Sequence, residues 1–290
     1  MPETLTSIKR VAVAANPKLS EAAAEGVRIA AWLEDHGLEA TSGLLYDEEL
    51  NRQVRAGGFD LLIALGGDGT MLRAGHLCGP CDVPILGINL GHFGFLMEIN
   101  QEQWPDVLPR LLAGDYWLEP RMMLLAQQWR AGGVVGRWEV VNEVAVGRGQ
   151  IVRPVQIDTS VDGFYLTTYT ADAMLAATPT GSTAYALAAG GPILPPQLRN
   201  ILIVPVAPHL SLDRAIILAE GSTVTFTVHF DHQASLCIDG QAPIGLADGD
   251  RVSAQASEHS VHFVRFQDPG YFYRNLTPHM YRNSTPGNSK

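Results

Sequence analysis

Lysine is nearly absent from this chain: among 290 residues it occurs only at Lys9, Lys18 and Lys290. That scarcity excludes several chemistries. A Walker A loop ends in Gly-Lys-Ser/Thr, and no such ending exists. A protein kinase needs a strand lysine, and none of the three occupies a credible strand of that kind. Schiff-base chemistry is equally poorly served. Cysteine is scarce too, with three residues. Cys78-Gly79-Pro80-Cys81 has redox-pair spacing, but such a pair follows a strand and opens a helix. Here it closes a helical pattern and precedes the apolar run Val83–Asn89. A zinc site would need two more soft ligands, and only Cys237 remains. His229 and His232 are three apart on a strand-like run and face opposite sides, so no metal-ligating set is expected. Long apolar runs are missing. Val11–Ala15 is far too short for a signal peptide, and nothing approaches a membrane span. The reading is cytoplasmic, with no membrane partner, and the Asn275-Leu276-Thr277 and Asn283-Ser284-Thr285 glycosylation patterns mean nothing there. Positive charge is short as well. A formal net charge of −10 argues against nucleic acid or an anionic surface as partner. Anionic small ligands stay open, because local N–H groups, arginine and metal overrule a global field.

Hydrophobic residues make up 46% and charged residues 17%, so a sizeable core is available over a length fit for two domains. The first part alternates short apolar runs with helical periodicity. Val11–Ala15, Glu39–Leu44, Phe59–Leu65 and Val83–Asn89 read as strands. Helices are predicted over 21–35, 47–56, from Met71 onward, and over 101–113. This predicts an α/β domain with a mainly parallel sheet over 1–117. From Trp117 the pattern turns to short strands: Met122–Gln128, Trp138–Val146, Val155–Val161, Phe164–Tyr169 and Met174–Ala177. One helix is predicted over 181–189. Strands follow at Ile201–Val206, Val224–Phe230, Leu236–Ile238, Val252–Ala256 and Val261–Phe266. Asp162-Gly163 between two runs signals a hairpin. The expectation is a β-rich, sandwich-like domain over 118–268. The tail 269–290 is expected to pack back on the first domain through its aromatic, arginine-rich part and to lose order from Asn283.

Gly66-Gly67-Asp68-Gly69-Thr70 ends one predicted strand and opens a helix. Bare backbone there can approach phosphate, and helix N-terminal N–H groups with their dipole favour negative charge. Asp68 repels phosphate unless a divalent cation bridges them or the carboxylate serves as a base. The combination points to phosphoryl transfer onto a hydroxyl, with metal-bound nucleotide nearby. The plainer alternative is a tight turn in which Asp68 caps the helix. Asn89 and Gly91-His92-Phe93-Gly94-Phe95 follow the next predicted parallel strand, at the edge where ligands collect. Thr178-Pro179-Thr180-Gly181-Ser182-Thr183-Ala184-Tyr185 offers several hydroxyls and free N–H groups at a helix start, and Tyr185 can stack on a base. Asn142-Glu143 interrupts an apolar run and needs partners, which ribose, a base edge, a neighbouring strand or water would supply. Asp172 and Asp239 pose the same question.

Together these segments resemble the NAD kinase family over roughly 59–274. The glycine motif is shared with lipid kinases of the diacylglycerol type. Asn142-Glu143, the Thr178–Tyr185 segment with Gly190-Gly191-Pro192, and Asp239-Gly240-Gln241, in this order, are specific to NAD kinases. The resemblance implies phosphorylation of the adenosine 2′-hydroxyl of NAD by ATP or polyphosphate, with Mg²⁺ or Mn²⁺ on the donor. It implies that Asp68 accepts the proton, with Gly67, Gly69, Thr70 and Arg73 beside it. Asn142 and Glu143 would hold the ribose, Arg153 would contact ligand, and Asp172 would read the nicotinamide amide. Thr183, Ala184, Tyr185, Ala186, Leu187 and Ala188 would line the pocket. Asn89, Phe95, Thr170, Thr180, Ala207, Asp239 and Gln241 complete the implied nucleotide-binding set. Ala173 stands where the family often has glycine. Homodimers or homotetramers are implied as well. With no lysine expected in the site, arginine and the cation would carry the positive charge. A lipid kinase and a non-catalytic dinucleotide sensor are the competing readings.

Overall fold

The structure, a computed structural model, describes residues 8–91, 94–150, 153–209, 212–230 and 232–276. The expectations for His92, Phe93 and 277–290 lie outside the described residues. The chain divides into two compact units, one of Met1–Pro120 with Val261–Lys290 and one of Arg121–Ser260. The division falls within two long strands, Trp117–Arg130 and Arg251–Arg265.

The first unit is an α/β layer. Strands β1 (Arg10–Ala15), β2 (Glu39–Leu44), β3 (Leu61–Gly66) and β4 (Ile85–Asn89) pair in parallel in the order β2-β1-β3-β4. β3 and β4 are buried at every residue, which is why they read as continuous apolar runs. Helix α1 (Ala22–Asp35) stops where Gly37 takes φ +84°. Helix α2 (Glu48–Arg55) is capped by Asp47, whose Oδ1 accepts from the Leu50 N–H at 2.9 Å. Helix α3 (Asp68–Cys78) leaves the end of β3. The core joins Val11, Val13, Leu61, Ile63, Leu65, Leu86 and Ile88 to Ile29, Leu33 and Trp104. The chain order reverses between β1 and β3. Ligands bind beyond the carboxyl ends of strands at such a switch point.

The second unit is two antiparallel sheets face to face. One sheet runs Ile216–Ala219, Asn200–Val206, Ala173–Ala177, Glu143–Arg148, Ala234–Ile238, Ile244–Leu246. Its inner strand Ala173–Ala177 is buried at every residue, so the in-out alternation of a half-covered strand is lost there. The other sheet includes Val155–Val161, Phe164–Ala171 and Thr223–His229. Val144, Val146, Met174, Ala176, Leu236 and Ile238 meet Ile157, Tyr169, Phe226 and Val228 between them. Asp162 (φ 53°) and Gly163 (φ 82°) make the predicted hairpin, both in the left-handed region that its tight turn demands.

Three local readings need correction. Trp138–Val146 is not one strand: Gly133–Val140 ends, the chain bends at 141–142, and Glu143–Arg148 begins in the other sheet. Val252–Ala256 and Val261–Phe266 are parts of one strand, Arg251–Arg265. The helix expected over 181–189 is a 3₁₀ turn, Gly181–Thr183, followed by a single α turn, Tyr185–Ala188.

Candidate functional site

In the first unit, α3 starts at Asp68, and its N-cap is Gly67, not Asp68. Thr70 supplies the cap contact instead: its Oγ1 accepts from the Gly67 N–H at 3.3 Å and from Asn16 Nδ2 at 3.0 Å. The Asp68 carboxylate accepts from the Phe95 N–H at 2.8 Å and the Leu96 N–H at 3.1 Å. The plain capping role for Asp68 therefore fails. A Cβ at Gly94 would stand 2.2 Å from that carboxylate, so only glycine lets the backbone approach. Asn89 pins the same loop, donating from Nδ2 to the Gly91 carbonyl at 2.8 Å.

The glycines of the motif differ in purpose. A Cβ at Gly66 would meet Thr70 Oγ1 at 2.1 Å, so internal packing demands that glycine. A Cβ at Gly67 or Gly69 meets nothing within 4 Å. Packing among the described residues does not require either, and each stands without a side chain beside a cavity of about 200 Å³. Asn16, Lys18, Tyr46, Gly67, Thr70 and Arg73 wall that cavity, at the β1/β3 switch point. Arg73 stacks its guanidinium 4.5 Å from the centre of the Tyr46 ring. Lys18 corrects the expectation of a site without lysine. Its signal is Asn16-Pro17-Lys18 directly behind β1, where a parallel sheet delivers loops to ligand.

In the second unit, Asn142 and Glu143 sit where the chain leaves one sheet for the other. Asp239, at φ 47°, holds that bend: its carboxylate accepts from the backbone N–H groups of Val141, Asn142 and Glu143 at 2.7, 2.7 and 2.8 Å. Thr178 closes the other side, its N–H donating to the Asn142 carbonyl at 2.8 Å and its hydroxyl to the Val141 carbonyl at 2.6 Å. A Cβ at Gly181 would fall 2.1 Å from the Asn142 carbonyl oxygen. The hydroxyls of the Thr178–Tyr185 segment are thus largely engaged. Ser182, fully buried, donates to the Pro179 carbonyl and accepts from the Leu194 N–H. Thr183 donates to the Thr180 carbonyl, and Thr180 accepts from Arg121 at 3.2 Å. The expectation of a row of hydroxyls turned to ligand is replaced by a rigid wall.

Glu143 is the exception. It is 7% exposed, and its Oε2 has no hydrogen-bond partner among the described residues. Burial raises its carboxyl to about 8; the nearby Asp239 charge adds to the rise, and the Tyr185 backbone N–H works against it. A buried acceptor of this kind suits a hydroxyl donor from a ligand. Asp172 pairs with Arg148, Nε to Oδ1 at 3.3 Å, a partner the sequence did not announce. Ala173 lies opposite Gly147, and a Cβ on Gly147 would come within 2.6 Å of the Ala173 methyl. The extra methyl is matched by a glycine across the ladder. Ala186 is buried, with Ala184, Leu187 and Ala188 around it and Tyr185 half exposed. Four candidates sit away from this bend or at its rim. Arg153 is exposed, its carbonyl near His232 Nε2 at 3.2 Å. Thr170 accepts from the His209 N–H through its carbonyl. Ala207 takes φ 47° after Asn200–Val206, and Gln241 closes the Asp239-Gly240 turn on the Ile238 carbonyl.

Among the described residues no group of three or more His, Cys, Asp or Glu could hold a metal ion. No helix among them is long and apolar enough to cross a membrane.

Fold and loops together define a class of phosphotransferase: a parallel α/β unit with a glycine loop at its switch point, and a two-sheet unit with a buried acid at a strand junction. The model of the ATP-NAD kinase N-terminal domain matches residues 11–116, and that of the ATP-NAD kinase C-terminal domain matches residues 141–266. NAD kinase of Chloroflexus aurantiacus is 38% identical over 278 residues, covering 95% of this chain and all of that protein. NAD kinase of Geobacter sp. strain M21 is 36% identical over 91% of this chain and 96% of that one. Yeast NADH kinase complexed with NADH shares the fold at TM-score 0.83 and 23% identity, over 98% of this chain and 91% of that one. An NAD kinase from Archaeoglobus fulgidus in complex with ATP aligns at TM-score 0.75 and 25% identity, over 94% and 98%. The chain belongs to the NAD kinase family. That membership removes the lipid-kinase reading.

Proposed function

We propose that this chain transfers the terminal phosphoryl group of ATP to the 2′-hydroxyl of the adenosine ribose of NAD, with Asp68 accepting the hydroxyl proton. The observation that carries this is the Asp68 carboxylate, held by two backbone N–H groups at a glycine loop whose Gly67 and Gly69 leave the main chain bare. Phosphoryl transfer asks for positioning and charge neutralisation more than for strong base chemistry. Gly69 leaves bare backbone toward phosphate, Gly67 and Thr70 hold the loop's turn through their own hydrogen bonds, and Lys18 and Arg73 supply positive charge. A divalent cation, Mg²⁺ or Mn²⁺, adds charge neutralisation when bound. Asp68 is the carboxylate of the glycine motif and the residue that would help hold it beside the donor's phosphates.

The dinucleotide is assigned to the second unit. Glu143 and Asn142 hold ribose hydroxyls, Thr183 to Ala188 line the base pocket, and Asp172 faces the nicotinamide end, where its pairing with Arg148 tempers its charge. Thr180, Arg153, Thr170, Ala207, Asp239 and Gln241 belong to the same assignment, Asp239 by holding the bend and not by touching ligand. The division of labour follows the sequence, with 1–117 carrying the glycine motif and 118–268 the dinucleotide. A cytoplasmic place and homodimers or homotetramers belong to this reading and rest on the family.

The test is turnover of NAD with ATP and Mg²⁺ by the purified protein and by Asp68→Asn. Asp68→Asn is expected to fold, to keep much of its NAD affinity and to lose roughly 10²-fold or more in kcat. Near-normal kcat in a folded variant removes Asp68 from the role. A wild-type chain that binds NAD without turnover makes the protein a dinucleotide sensor.

A further inference from the structure

Arg265 is an arginine buried in a sheet, and it is 2% exposed. Its Nε donates to Glu119 Oε2 at 2.7 Å, and its Nη1 donates to the Leu96 carbonyl at 2.9 Å. Its guanidinium lies 5.1 Å from the ring centres of Phe263 and of Tyr271. Burial opposes its charge, and Tyr271, Glu119 and Glu98 outweigh that opposition. The next residue adds a second tie: the Phe266 N–H donates to Glu98 Oε1 at 2.5 Å. So the segment Leu96–Glu98 is stitched to Arg265 and Phe266 at two points.

The other end of that segment holds the Asp68 carboxylate, through the Phe95 and Leu96 N–H groups. Leu96 is therefore fixed from both sides, its N–H on Asp68 and its carbonyl on Arg265. Buried ion pairs are poor devices for stability alone, since apolar replacements of similar volume are often as good. An arginine kept here at the cost of desolvation fits a demand for geometry.

We propose that Arg265 is a positioning residue for phosphoryl transfer: by clamping the Leu96 carbonyl against Glu119 it fixes the two N–H groups that aim the Asp68 carboxylate. The proposal rests on the assignment of Asp68 as proton acceptor. It acts through the loop: among the described residues the hydrogen bonds of Arg265 go to Glu119 and to the Leu96 carbonyl. A misplacement on the order of 1 Å of a reacting group is enough to cost orders of magnitude in rate.

The experiment compares wild type, Arg265→Lys, the double variant Arg265→Met/Glu119→Gln, and Asp68→Asn. An ammonium is a single point donor and does not span Glu119 and Leu96 as the guanidinium fork does. The double variant removes both charges, so a folded protein is available even where Arg265→Lys is unstable. Steady-state kinetics with NAD and ATP are measured beside amide hydrogen exchange. The expected result in the Arg265 variants is a kcat lower by about ten-fold with KM for NAD within about two-fold, the pattern of an interaction that serves the transition state. The Phe95 and Leu96 amides are expected to exchange faster, while the Leu62 and Ile63 amides of the central strand keep their protection. Unchanged kcat, or unchanged exchange at Phe95 and Leu96, overturns the proposal. So does a parallel loss of kcat, KM and central-strand protection, which marks a purely structural role. Should Asp68→Asn itself keep its kcat, the assignment of Asp68 fails. The positioning role of Arg265 then fails with it, and faster exchange at Phe95 and Leu96 alone marks a clamp on the loop with no part in the reaction.

Discussion

The two units hold their acids in opposite ways. Asp68 lies at an open glycine loop, and both of its oxygens are occupied by backbone N–H groups. Glu143 lies at a closed strand junction, with one oxygen left without a partner among the described residues and its carboxyl raised by burial to about 8. The first arrangement fixes where a carboxylate points and leaves the surroundings accessible. The second withholds water from a carboxyl and leaves a hydrogen bond to be completed. Asp239 sharpens the contrast. It sits close enough to raise Glu143, yet spends its own oxygens on three backbone N–H groups. One acid of each junction is spent on geometry or left for ligand, and the neighbours decide which.

The hardest test of the Asp68 arrangement is Gly94→Ala. The new methyl occupies the space of the carboxylate, at 2.2 Å, so the side chain has to leave its two N–H donors. The expected outcome is a loss of about 10²-fold in kcat, the scale of a misplaced reacting group. A variant with full activity would show that the carboxylate works from another position and that its two N–H donors do not set where it points.

Glu143 is tested through pH. In the unfolded chain its carboxyl titrates near 4.5, and in the folded chain near 8. Between those values the folded protein binds the extra proton, so the stability contributed by protonation is complete below the lower value and is lost as pH rises through the upper one. The loss is on the order of a few kcal/mol. Glu143→Gln is expected to flatten the stability profile between about pH 5 and pH 9, measured as Tm in matched buffers. Ribose hydroxyls donate to the carboxylate form, so NAD binding by the wild type is expected to release a proton and to tighten as pH approaches 8. Calorimetric titration in buffers of different ionisation enthalpy reads that proton directly. A wild-type profile as flat as that of the variant would remove the distinction between the two acids.

Much of this is legible in the sequence. The strands β1, β3 and β4 announce themselves because a parallel sheet covered on both faces is apolar at every position. Asp162-Gly163 names its own hairpin through the left-handed backbone that turn requires. The junction at Val141–Asn142 is not legible, because a chain that changes sheets keeps the same apolar pattern on both sides of the change. Only the polar pair inside the run hints at it. In the candidate site, motif residues stand out and their supports do not. Gly94, Arg148, Arg121 and Arg265 act through contacts with residues far away in sequence, up to 169 positions, and no local spacing encodes them. Lys18 is in plain view, and its place directly behind β1 is the one signal that marks it.

A smaller effect separates the two kinds of glycine in the loop. Gly69→Ala meets no atom within 4 Å and is expected to fold with an unchanged Tm. Its methyl stands where phosphate is assigned, so KM for ATP is expected to rise several-fold while KM for NAD holds. Lys18→Ala is expected to act in the same direction through lost charge, by roughly 1 kcal/mol or less for an exposed cation, and more at low salt. A rise in KM for NAD and not for ATP in either variant would move the donor away from the first unit's cavity.

The smallest effect is expected at Cys78 and Cys81, where the comparison predicts silence. A working thiol needs a thiolate, and thiolates form in electropositive, partly exposed places. Cys78 is fully buried, and burial, with Cys81 beside it, pushes its thiol well above the usual range. Burial raises Cys81 as well. Its Sγ donates to the Leu77 carbonyl at 3.3 Å and the Cys78 carbonyl at 3.4 Å, so it serves the last turn of α3 as a cap. A serine pair keeps a donor there and buries one hydroxyl at Cys78, which costs some stability. The double variant Cys78→Ser/Cys81→Ser is therefore expected to lose a few degrees in Tm and to keep wild-type kcat and KM, with or without reductant. Redox control of the wild type that disappears in the variant would make this turn a switch beneath the glycine-loop helix, and would give the first unit a regulated acid in place of a fixed one.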